Sequence, residues 1–185
     1  MDPQLLSELT KVVEGDVSSD QTTLNEYSHD ASLFEVIPQA VVFPKNQKDV
    51  ENLVTFVAKN KKKYPKLSLT GRSAGTDMGG GSINDSIIVA FSKYFNATPT
   101  IKERIATTQP GVFYRDFEKE TLKEGLLFPS YPASRGLCAM GGIVNNNSGG
   151  EKSLQYGKTE RYVKSVKVVL RDGKTYEFIK WFSYC

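Results

Sequence analysis

The sequence predicts an α+β fold with two lobes, a small α/β lobe followed by a lobe of antiparallel strands and helices. The chain from residue 40 to 91 alternates strand, helix, strand, loop and strand patterns, which is typical of helices packed on a short sheet. Asp172-Gly173 lies between two strand patterns and is a strong signal for a two-residue hairpin. A length of 185 residues suits one domain or two small lobes that share a core.

The predicted organisation has three parts along the chain. Residues 1–35 form an N-terminal helix and a lead-in, residues 36–97 form the first lobe and residues 98–185 form the second. The apolar residues of segment 3–13 recur at helical spacing, so a helix is predicted there. Residues 14–36 are polar and rich in turn residues, and no regular element is predicted for them.

The first lobe carries the clearest pattern of elements. Residues 40–43 are apolar and predict a short buried strand. Asn46 can cap the amphipathic helix that follows, with Asp49 at its third helical position. Residues 67–69 and 87–91 predict two further short strands on either side of a glycine-rich loop.

The second lobe combines a helix with strands. Residues 101–108 alternate weakly in hydrophobicity and lead into a turn at 109–111. Residues 112–124 predict a helix that ends at the glycine immediately after it. Residues 163–170 and 174–178 predict the two strands of the C-terminal hairpin.

The glycine-rich loop, residues 70–81, is the first candidate for a binding site. Glycine accepts positive φ and lets another group approach the backbone closely. Hydroxyl side chains, Thr70, Ser73 and Thr76, lie among the glycines, and Arg72 stands at the rim. Backbone N–H groups with hydroxyls and one arginine suit a phosphate or pyrophosphate. On these residues alone, a long flexible turn is an equally good interpretation.

A second unusual stretch, residues 129–150, contains one charged residue, Arg135, and is rich in small residues and asparagine. Asparagine tolerates left-handed backbone conformations and offers amide donors. Together the two stretches hold most of the 15 glycines. They predict one extended ligand lined by backbone; the alternative is two unrelated surface loops.

Composition excludes several classes of function. A net charge of +3 is too small to predict a nucleic-acid surface. The two cysteines, Cys138 and Cys185, form no CxxC motif, so neither a disulfide framework nor a cysteine zinc site is predicted. His29 is the only histidine, which disfavours metal binding and Ser-His chemistry.

The sequence shows no pattern typical of a signal peptide or a transmembrane helix. The first residues lack a basic region followed by an apolar core, so no signal peptide is predicted. No apolar run approaches the roughly 20 residues of a transmembrane helix. We therefore expect no transmembrane segment and a reduced, cytoplasmic location.

Five motifs follow one another in a characteristic order. They are Gly71–Gly80, Gln109–Val112, Gly141–Gly150, Tyr156–Thr159 and Asp172-Gly173. In this order they resemble the FAD-binding (PCMH-type) domain of the vanillyl-alcohol oxidase / p-cresol methylhydroxylase family. The likeness is greatest to its FAD-linked D-lactate dehydrogenase and glycolate oxidase branch, and it covers about residues 36–178.

The resemblance implies a position for FAD between the two lobes. The first loop would wrap the pyrophosphate with Arg72, Ser73, Ala74, Gly75, Thr76 and Asp77, while Gly79 and Gly80 let the chain return. The second stretch would follow the ribityl chain and pyrophosphate with Ser134, Gly141, Gly142, Asn146, Ser148 and Gly149, with Pro132 near the cofactor. The turn at 109–111 is expected to be structural. The absence of G-x-G-x-x-G and of a phosphate-loop lysine motif argues against other nucleotide folds.

The resemblance also bears on how FAD is held. Some members of the family attach FAD covalently through a histidine of the first loop or a cysteine near the second. The first loop here contains no histidine, and Cys138 is expected to pack as a small apolar residue. We therefore expect non-covalent FAD, with a thioether to Cys138 as a minor alternative.

The function implied is hydride transfer from a small 2-hydroxy acid, lactate- or glycolate-like, to FAD. In the family the substrate and catalytic groups lie in a cap domain that follows the FAD domain, and no catalytic residue is predicted in this chain. The aromatic end, residues 180–185, departs from the family pattern, so we expect a truncated or frame-altered fragment that lacks the cap and is inactive alone. An electron-acceptor partner is expected for the whole enzyme.

Two alternatives stay open at this stage. One is a non-catalytic or stand-alone flavin-binding module that needs a partner chain for the substrate site. The other is the FAD lobe of a cell-wall precursor reductase, whose domain is related.

Overall fold

The computed structural model describes residues 1–180 and shows helices and sheets in a mixed α+β arrangement. The helices are α1 Pro3–Lys11, α2 Gln21–Glu26, α3 Gln47–Asn60, α4 Tyr114–Lys123, α5 Met140–Asn145 and α6 Ser153–Tyr156, with a 3-10 helix over Thr159–Arg161. The strands are β1 Asp16–Ser18, β2 Ala40–Phe43, β3 Leu69–Arg72, β4 Ile87–Ala90, β5 Thr100–Lys102, β6 Ile105–Thr107, β7 Ser165–Val169 and β8 Thr175–Ile179. The two-lobed α+β class predicted from the sequence is confirmed.

The first sheet has the strand order β1-β2-β4-β3. Strands β2, β4 and β3 are parallel, and β1 pairs antiparallel with β2 at one edge. Every residue of β4 is buried, as expected for a parallel strand covered on both faces. One face packs on Leu5 and Leu9 of α1 and on Leu53 and Phe56 of α3.

Two elements lie where no regular element was predicted, within residues 14–36. Strand β1 has only three residues, and it is stabilised by pairing with distant β2, for example Asp16 with Phe43. Helix α2 has six residues and no buried side chain, so it has no apolar periodicity to detect. The Asp20 side chain caps it by accepting a hydrogen bond from the Thr23 N–H.

The position of β3 differs from the prediction of residues 67–69. The strand covers residues 69–72, because Thr70, Gly71 and Arg72 pair with residues 88–90 of β4. Sheet pairing outweighs the low strand propensity of the glycine. The exposed part of the glycine-rich loop therefore begins at Ser73, immediately after the strand.

The second part of the chain contains two separate hairpins. The weak alternation at 101–108 proves to be the β5–β6 hairpin, turned by Glu103 and Arg104, both with positive φ. The sequence gives no signal for this turn, because neither residue is glycine or asparagine. The C-terminal hairpin is confirmed, with β7 and β8 paired antiparallel. Its turn is longer than the predicted two residues, because the Leu170 N–H donates to the Lys174 carbonyl across three residues.

The β7–β8 hairpin packs against the first lobe. Thr175 Oγ1 donates a hydrogen bond of 2.7 Å to Glu51 Oε1 of α3. A Cβ at Gly173 would lie 2.1 Å from Thr55 Oγ1, so only glycine lets the turn approach the helix this closely. The C-terminal hairpin is thereby fastened to α3 of the first lobe. The predicted bounds of the domains, 36–97 and 98–185, stay a prediction.

The residues after 180 lie outside the described part of the chain. The expectation of a truncated or frame-altered end and the prediction for Cys185 fall on them.

A buried carboxylate fixes the start of α3. Asp49 is 1% exposed and accepts hydrogen bonds from the backbone N–H groups of Glu14, Gly15 and Lys45, at 2.8 to 3.0 Å. Its own N–H donates to the Asn46 side chain, which confirms the predicted cap. One carboxylate therefore joins the end of the α1 segment, the entry to α3 and the end of β2.

Candidate cofactor site

The two glycine-rich stretches meet at one point. A Cβ built on Gly141 would lie 2.6 Å from Ser73 Oγ and 2.7 Å from Pro110 Cβ. Nonbonded heavy atoms essentially never approach a Cβ within 3.0 Å, so the contact requires glycine at this position. The first loop, the turn at 109–111 and the second stretch are therefore neighbours in the structure.

Three backbone hydrogen bonds hold the second stretch in this position. The Tyr114 N–H donates to the Cys138 carbonyl, the Met140 N–H to the Val112 carbonyl, and the Gly141 N–H to the Pro110 carbonyl, each at 2.9 Å. Residues 110–114 and 138–141 thus run side by side.

The turn itself is fastened to the first lobe. The Gly111 N–H donates to the Phe95 carbonyl at 2.8 Å, and a Cβ at Gly111 would lie 2.3 Å from the Phe91 carbonyl oxygen. Close approach to the backbone after β4 is the reason for glycine here. This agrees with the structural role predicted for the turn.

The first loop presents a row of unused backbone donors. The backbone N–H groups of residues 73–78 donate no hydrogen bond to any of the described residues, 1–180. Gly75 has φ of +68°, a conformation that glycine adopts without strain. Successive N–H groups on a bent backbone form a concave site for an anion such as a phosphate.

Asp77 shapes the end of this loop with its side chain. Its carboxylate accepts hydrogen bonds from the Gly79 N–H at 2.7 Å and from the Gly81 N–H at 3.1 Å. Those contacts close the turn and occupy the carboxylate. Any contact of Asp77 with an anion must then come from its N–H, which is the role predicted from the sequence.

Arg72 lies at the base of the loop. Its guanidinium is 5.1 Å from the centre of the Tyr27 ring, and Nη1 donates to the Tyr27 carbonyl at 3.3 Å. A Cβ at Gly75 would lie 2.5 Å from Nη2, so the loop folds over the guanidinium. Burial lowers the pKa of Arg72, although the group stays charged at neutral pH. Arg72 thus places a positive charge beneath the row of free N–H groups.

Part of the second stretch is helical, although a loop was expected. It contains α5, which begins beside the contact between Gly141 and Ser73. The N–H groups of Gly142 and Gly149 have no protein acceptor within residues 1–180, whereas the Gly141 N–H is already used by Pro110. Gly142 and Gly149 therefore offer donors, and Gly141 allows the close approach.

The remaining predicted residues surround this point. Ser148 is buried, its N–H donates to the Ile143 carbonyl, and Asn146 Nδ2 lies 3.4 Å from Ser148 Oγ. Pro132 and Ser134 lie in the turn before α5, where the Pro132 carbonyl accepts the Arg135 N–H. The structure brings the first loop and Gly141 together, while the contacts of the other residues with a cofactor stay a prediction.

The lead-in contributes a wall to the loop that sequence reasoning missed. Asp30 Oδ2 accepts a hydrogen bond from Ser82 Oγ at 3.1 Å. The Phe34 ring and Ile83 lie beside Gly80, whose φ is +80°. These contacts join residues far apart in sequence, and neither the polar pattern of the lead-in nor its composition signals them.

Cys138 is buried at 3% exposure. Burial raises the pKa of its thiol, so the neutral form predominates at physiological pH. A buried neutral thiol is a weak nucleophile, which favours the interpretation as a packing residue.

Other kinds of site are not evident in residues 1–180. This part of the chain has no cluster of three or more histidine, cysteine, aspartate or glutamate side chains able to hold a metal ion. Nor does it contain a helix long and apolar enough to cross a membrane.

The fold and the unused N–H groups of the loop together suit an anionic, extended cofactor. Comparison with known protein families identifies the family of this domain. Residues 38–178 match the model of the FAD binding domain family. The chain belongs to this family, and FAD is its cofactor, which confirms the resemblance drawn from the ordered motifs.

Several curated proteins are similar to most of this chain. D-2-hydroxyglutarate dehydrogenase of Haemophilus influenzae is 32% identical over 163 residues, covering 87% of this chain and 16% of that protein. Glycolate oxidase subunit GlcD of Bacillus subtilis is 32% identical, covering 80% and 31%. D-lactate dehydrogenase of Archaeoglobus fulgidus is 30% identical, covering 91% and 37%. The chain thus spans well under half the length of these relatives.

Solved structures agree on the fold. An alkyldihydroxyacetonephosphate synthase matches 96% of this chain, and 35% of its own, with a TM-score of 0.80 at 21% identity. The 6-hydroxy-D-nicotine oxidase of Arthrobacter nicotinovorans matches 90% of this chain, and 36% of its own, with a TM-score of 0.76 at 20% identity. At such identities the likeness concerns the fold alone.

The residues present fit FAD on structural grounds. The pyrophosphate of FAD carries two negative charges, and the free N–H groups of residues 73–78 with Arg72 beneath them provide complementary donors. A Cβ at Gly142 would meet no atom within 4 Å, so space is open beside the second stretch as well.

Two adjacent glycines of α5 allow this site to be tested. Alanine favours helix over glycine by about 1 kcal/mol, so an effect in the opposite direction reports local contacts. Gly141→Ala should lower the melting temperature of the cofactor-free chain, because its Cβ would clash with Ser73 and Pro110. Gly142→Ala should leave that temperature unchanged or raise it, and should weaken FAD binding. Thermal denaturation and FAD titration measure the two effects.

The pair separates packing from cofactor contact. Equal melting temperatures for the two variants would contradict the close contact at Gly141. Binding of FAD by Gly142→Ala with unchanged affinity would remove Gly142 from the cofactor site.

Proposed function

We propose that this chain is the FAD-binding part of a flavin-dependent oxidoreductase that transfers hydride from a small 2-hydroxy acid, lactate- or glycolate-like, to FAD. The family supports the cofactor. Three relatives at 30 to 32% identity are named for the oxidation of 2-hydroxy acids, and this supports the substrate class. The reaction and the substrate are proposals, because the chain spans only part of those relatives.

The single observation that carries the proposal is the row of unused N–H groups at residues 73–78. These donors have no acceptor within residues 1–180, so an anion can take them without breaking any hydrogen bond of that part of the chain. A neutral ligand would not need this arrangement. Among flavins, FAD has the pyrophosphate that fits it, whereas riboflavin has none.

The roles of the chain's own residues follow from this geometry. The N–H groups from Ser73 to Asp77 would hold the pyrophosphate, with the Arg72 charge beneath it. Gly142 and Gly149 would donate from the other side. Bound FAD would supply the hydride-accepting ring, and the protein's part is to hold and orient it. No general acid or base is assigned to this chain.

Cofactor binding is tested by purifying the chain with added FAD and recording the visible absorbance after desalting. The expected result is retained flavin and a higher melting temperature, since ligand at 100 times its dissociation constant stabilises by about 2.7 kcal/mol. Riboflavin should stabilise far less, because it cannot use the anion site. Denaturation in acid should release all of the flavin, as expected for non-covalent FAD beside a buried Cys138.

Glycine variants serve as matched controls for that experiment. Gly75→Val should abolish FAD retention, because the side chain would meet the Arg72 guanidinium at a position where φ is +68°. Gly136→Val should retain FAD, since a Cβ there meets nothing within 4 Å. Loss of flavin in the unaltered chain, or retention in Gly75→Val, would refute the proposed cradle.

The proposed reaction calls for a separate test with the longest polypeptide that carries this sequence, loaded with FAD. D-lactate, glycolate or D-2-hydroxyglutarate, added without oxygen, should bleach the visible band of the oxidised flavin. Propionate, which lacks the 2-hydroxyl group, is the control and should not. If none of the three acids bleaches a fully loaded protein, the substrate class is wrong while the cofactor assignment stands.

A further inference from the structure

We propose that Glu118 and Arg135 form a positioning pair that sets the second stretch at the correct distance from FAD. Glu118 lies in α4, and Arg135 lies in the turn before α5. Neither residue belongs to the predicted cofactor contacts. The inference rests on the proposed function, since it takes residues 132–149 to line the cofactor.

The pair has a two-point geometry. Arg135 Nε lies 3.1 Å from Glu118 Oε2, and Nη2 lies 2.5 Å from Oε1. A two-point contact between guanidinium and carboxylate fixes orientation as well as distance. The Tyr114 hydroxyl also lies 3.0 Å from Glu118 Oε1, so the carboxylate is held on its own helix.

Arg135 extends the contact to the C-terminal end of the second stretch through Tyr131. Its guanidinium lies 4.5 Å from the centre of the Tyr131 ring. The Tyr131 hydroxyl donates to Glu151 Oε1 at 3.1 Å, and a Cβ at Gly150 would lie 2.1 Å from the Tyr131 carbonyl oxygen. A continuous series of contacts therefore runs from α4 to the segment that contains Ser148 and Gly149.

The turn with Pro132 and Ser134 lies inside this series. The Arg135 N–H donates to the Pro132 carbonyl at 3.0 Å, and the Ser134 carbonyl accepts the N–H groups of Leu137 and Cys138. Movement of Arg135 would shift both candidate cofactor residues. It would also shift Cys138, whose carbonyl anchors the stretch to Tyr114.

Exposure suggests that the pair orients more than it stabilises. The Arg135 side chain is 45% exposed, whereas that of Glu118 is 11% exposed. Solvent screens the exposed Arg135 side of the pair, which limits the contribution of the pair to the free energy of unfolding. The two-point contact nevertheless fixes the orientation of the Arg135 guanidinium, even where the pair adds little to the free energy of unfolding.

The test compares FAD binding with stability in the chain as it stands. Arg135→Met should raise the dissociation constant for FAD on the order of tenfold, because small displacements of positioning groups have large effects. The melting temperature of the cofactor-free chain should change little. The visible circular dichroism of bound FAD, which reports the orientation of its ring, should change as well. For Arg135→Lys, the dissociation constant for FAD should lie between those of the unaltered chain and Arg135→Met, since lysine keeps the charge without the two-point contact.

Lys123→Met is the matched control. Lys123 pairs with Glu120 at 2.7 Å on the same helix, and within residues 1–180 its side chain makes no hydrogen bond or ion pair to the second stretch. The Lys123→Met variant should bind FAD with unchanged affinity, and the circular dichroism of the bound FAD should be unchanged.

The outcomes separate the inference from the proposed function. If the unaltered chain binds no FAD, the proposed function fails. If that chain binds FAD and Arg135→Met binds it with the affinity and circular dichroism of Lys123→Met, the positioning role is refuted. Should Arg135→Met fail to fold, Glu118→Gln and Arg135→Lys are judged by the same two measurements. A lower melting temperature with unchanged binding in these variants would assign the pair a purely structural role.

Discussion

The contact between Ser73 and Gly141 is the constraint on which the rest of the site depends. It joins a loop of the first sheet to the start of α5, some 70 residues later in the chain. The three hydrogen bonds between residues 110–114 and 138–141 hold the second stretch there, and the close packing of Gly111 fastens that ladder to the first lobe. A side chain at Gly141 would force the two stretches apart. The site is therefore one structure built by two distant segments.

Binding through the backbone has a consequence for sequence. Amide groups are present in every residue, so a cradle of N–H groups requires particular conformations more than particular side chains. Glycine at the positions with positive φ and at close contacts meets that requirement. A solved structure has the same fold at 21% identity, which agrees with a fold that depends on few particular side chains. Charged side chains such as Asp77 and Arg72 then shape and support the cradle from behind.

Local patterns were sufficient to predict much of this structure. Helix α3, its Asn46 cap and the β7–β8 hairpin follow from apolar periodicity and turn residues, and the structure confirms them. Strands β1 and β3 were missed or misplaced, because pairing with distant strands determines them. Helix α5 was hidden by its two glycines and by Asn145, which favour loops in isolation. The tertiary contacts of its first turn account for its formation.

The candidate site divides in the same way. Its two stretches could be found from glycine content, and their cofactor from the order of motifs. The wall formed by Asp30 and Phe34, and the pair formed by Glu118 and Arg135, could not be found. Those residues are ordinary polar or aromatic residues in the sequence, and only the folded chain brings each of them to its partners.

Hydrogen exchange of the backbone amides, with and without FAD, tests the central claim most directly. The claim is that both stretches hold one cofactor through N–H groups that have no acceptor within residues 1–180. FAD should slow exchange at residues 73–78 and at Gly142 and Gly149, while the amides of the distant β8 strand keep their rates. Protection of only one stretch, or protection at neither, would contradict the account.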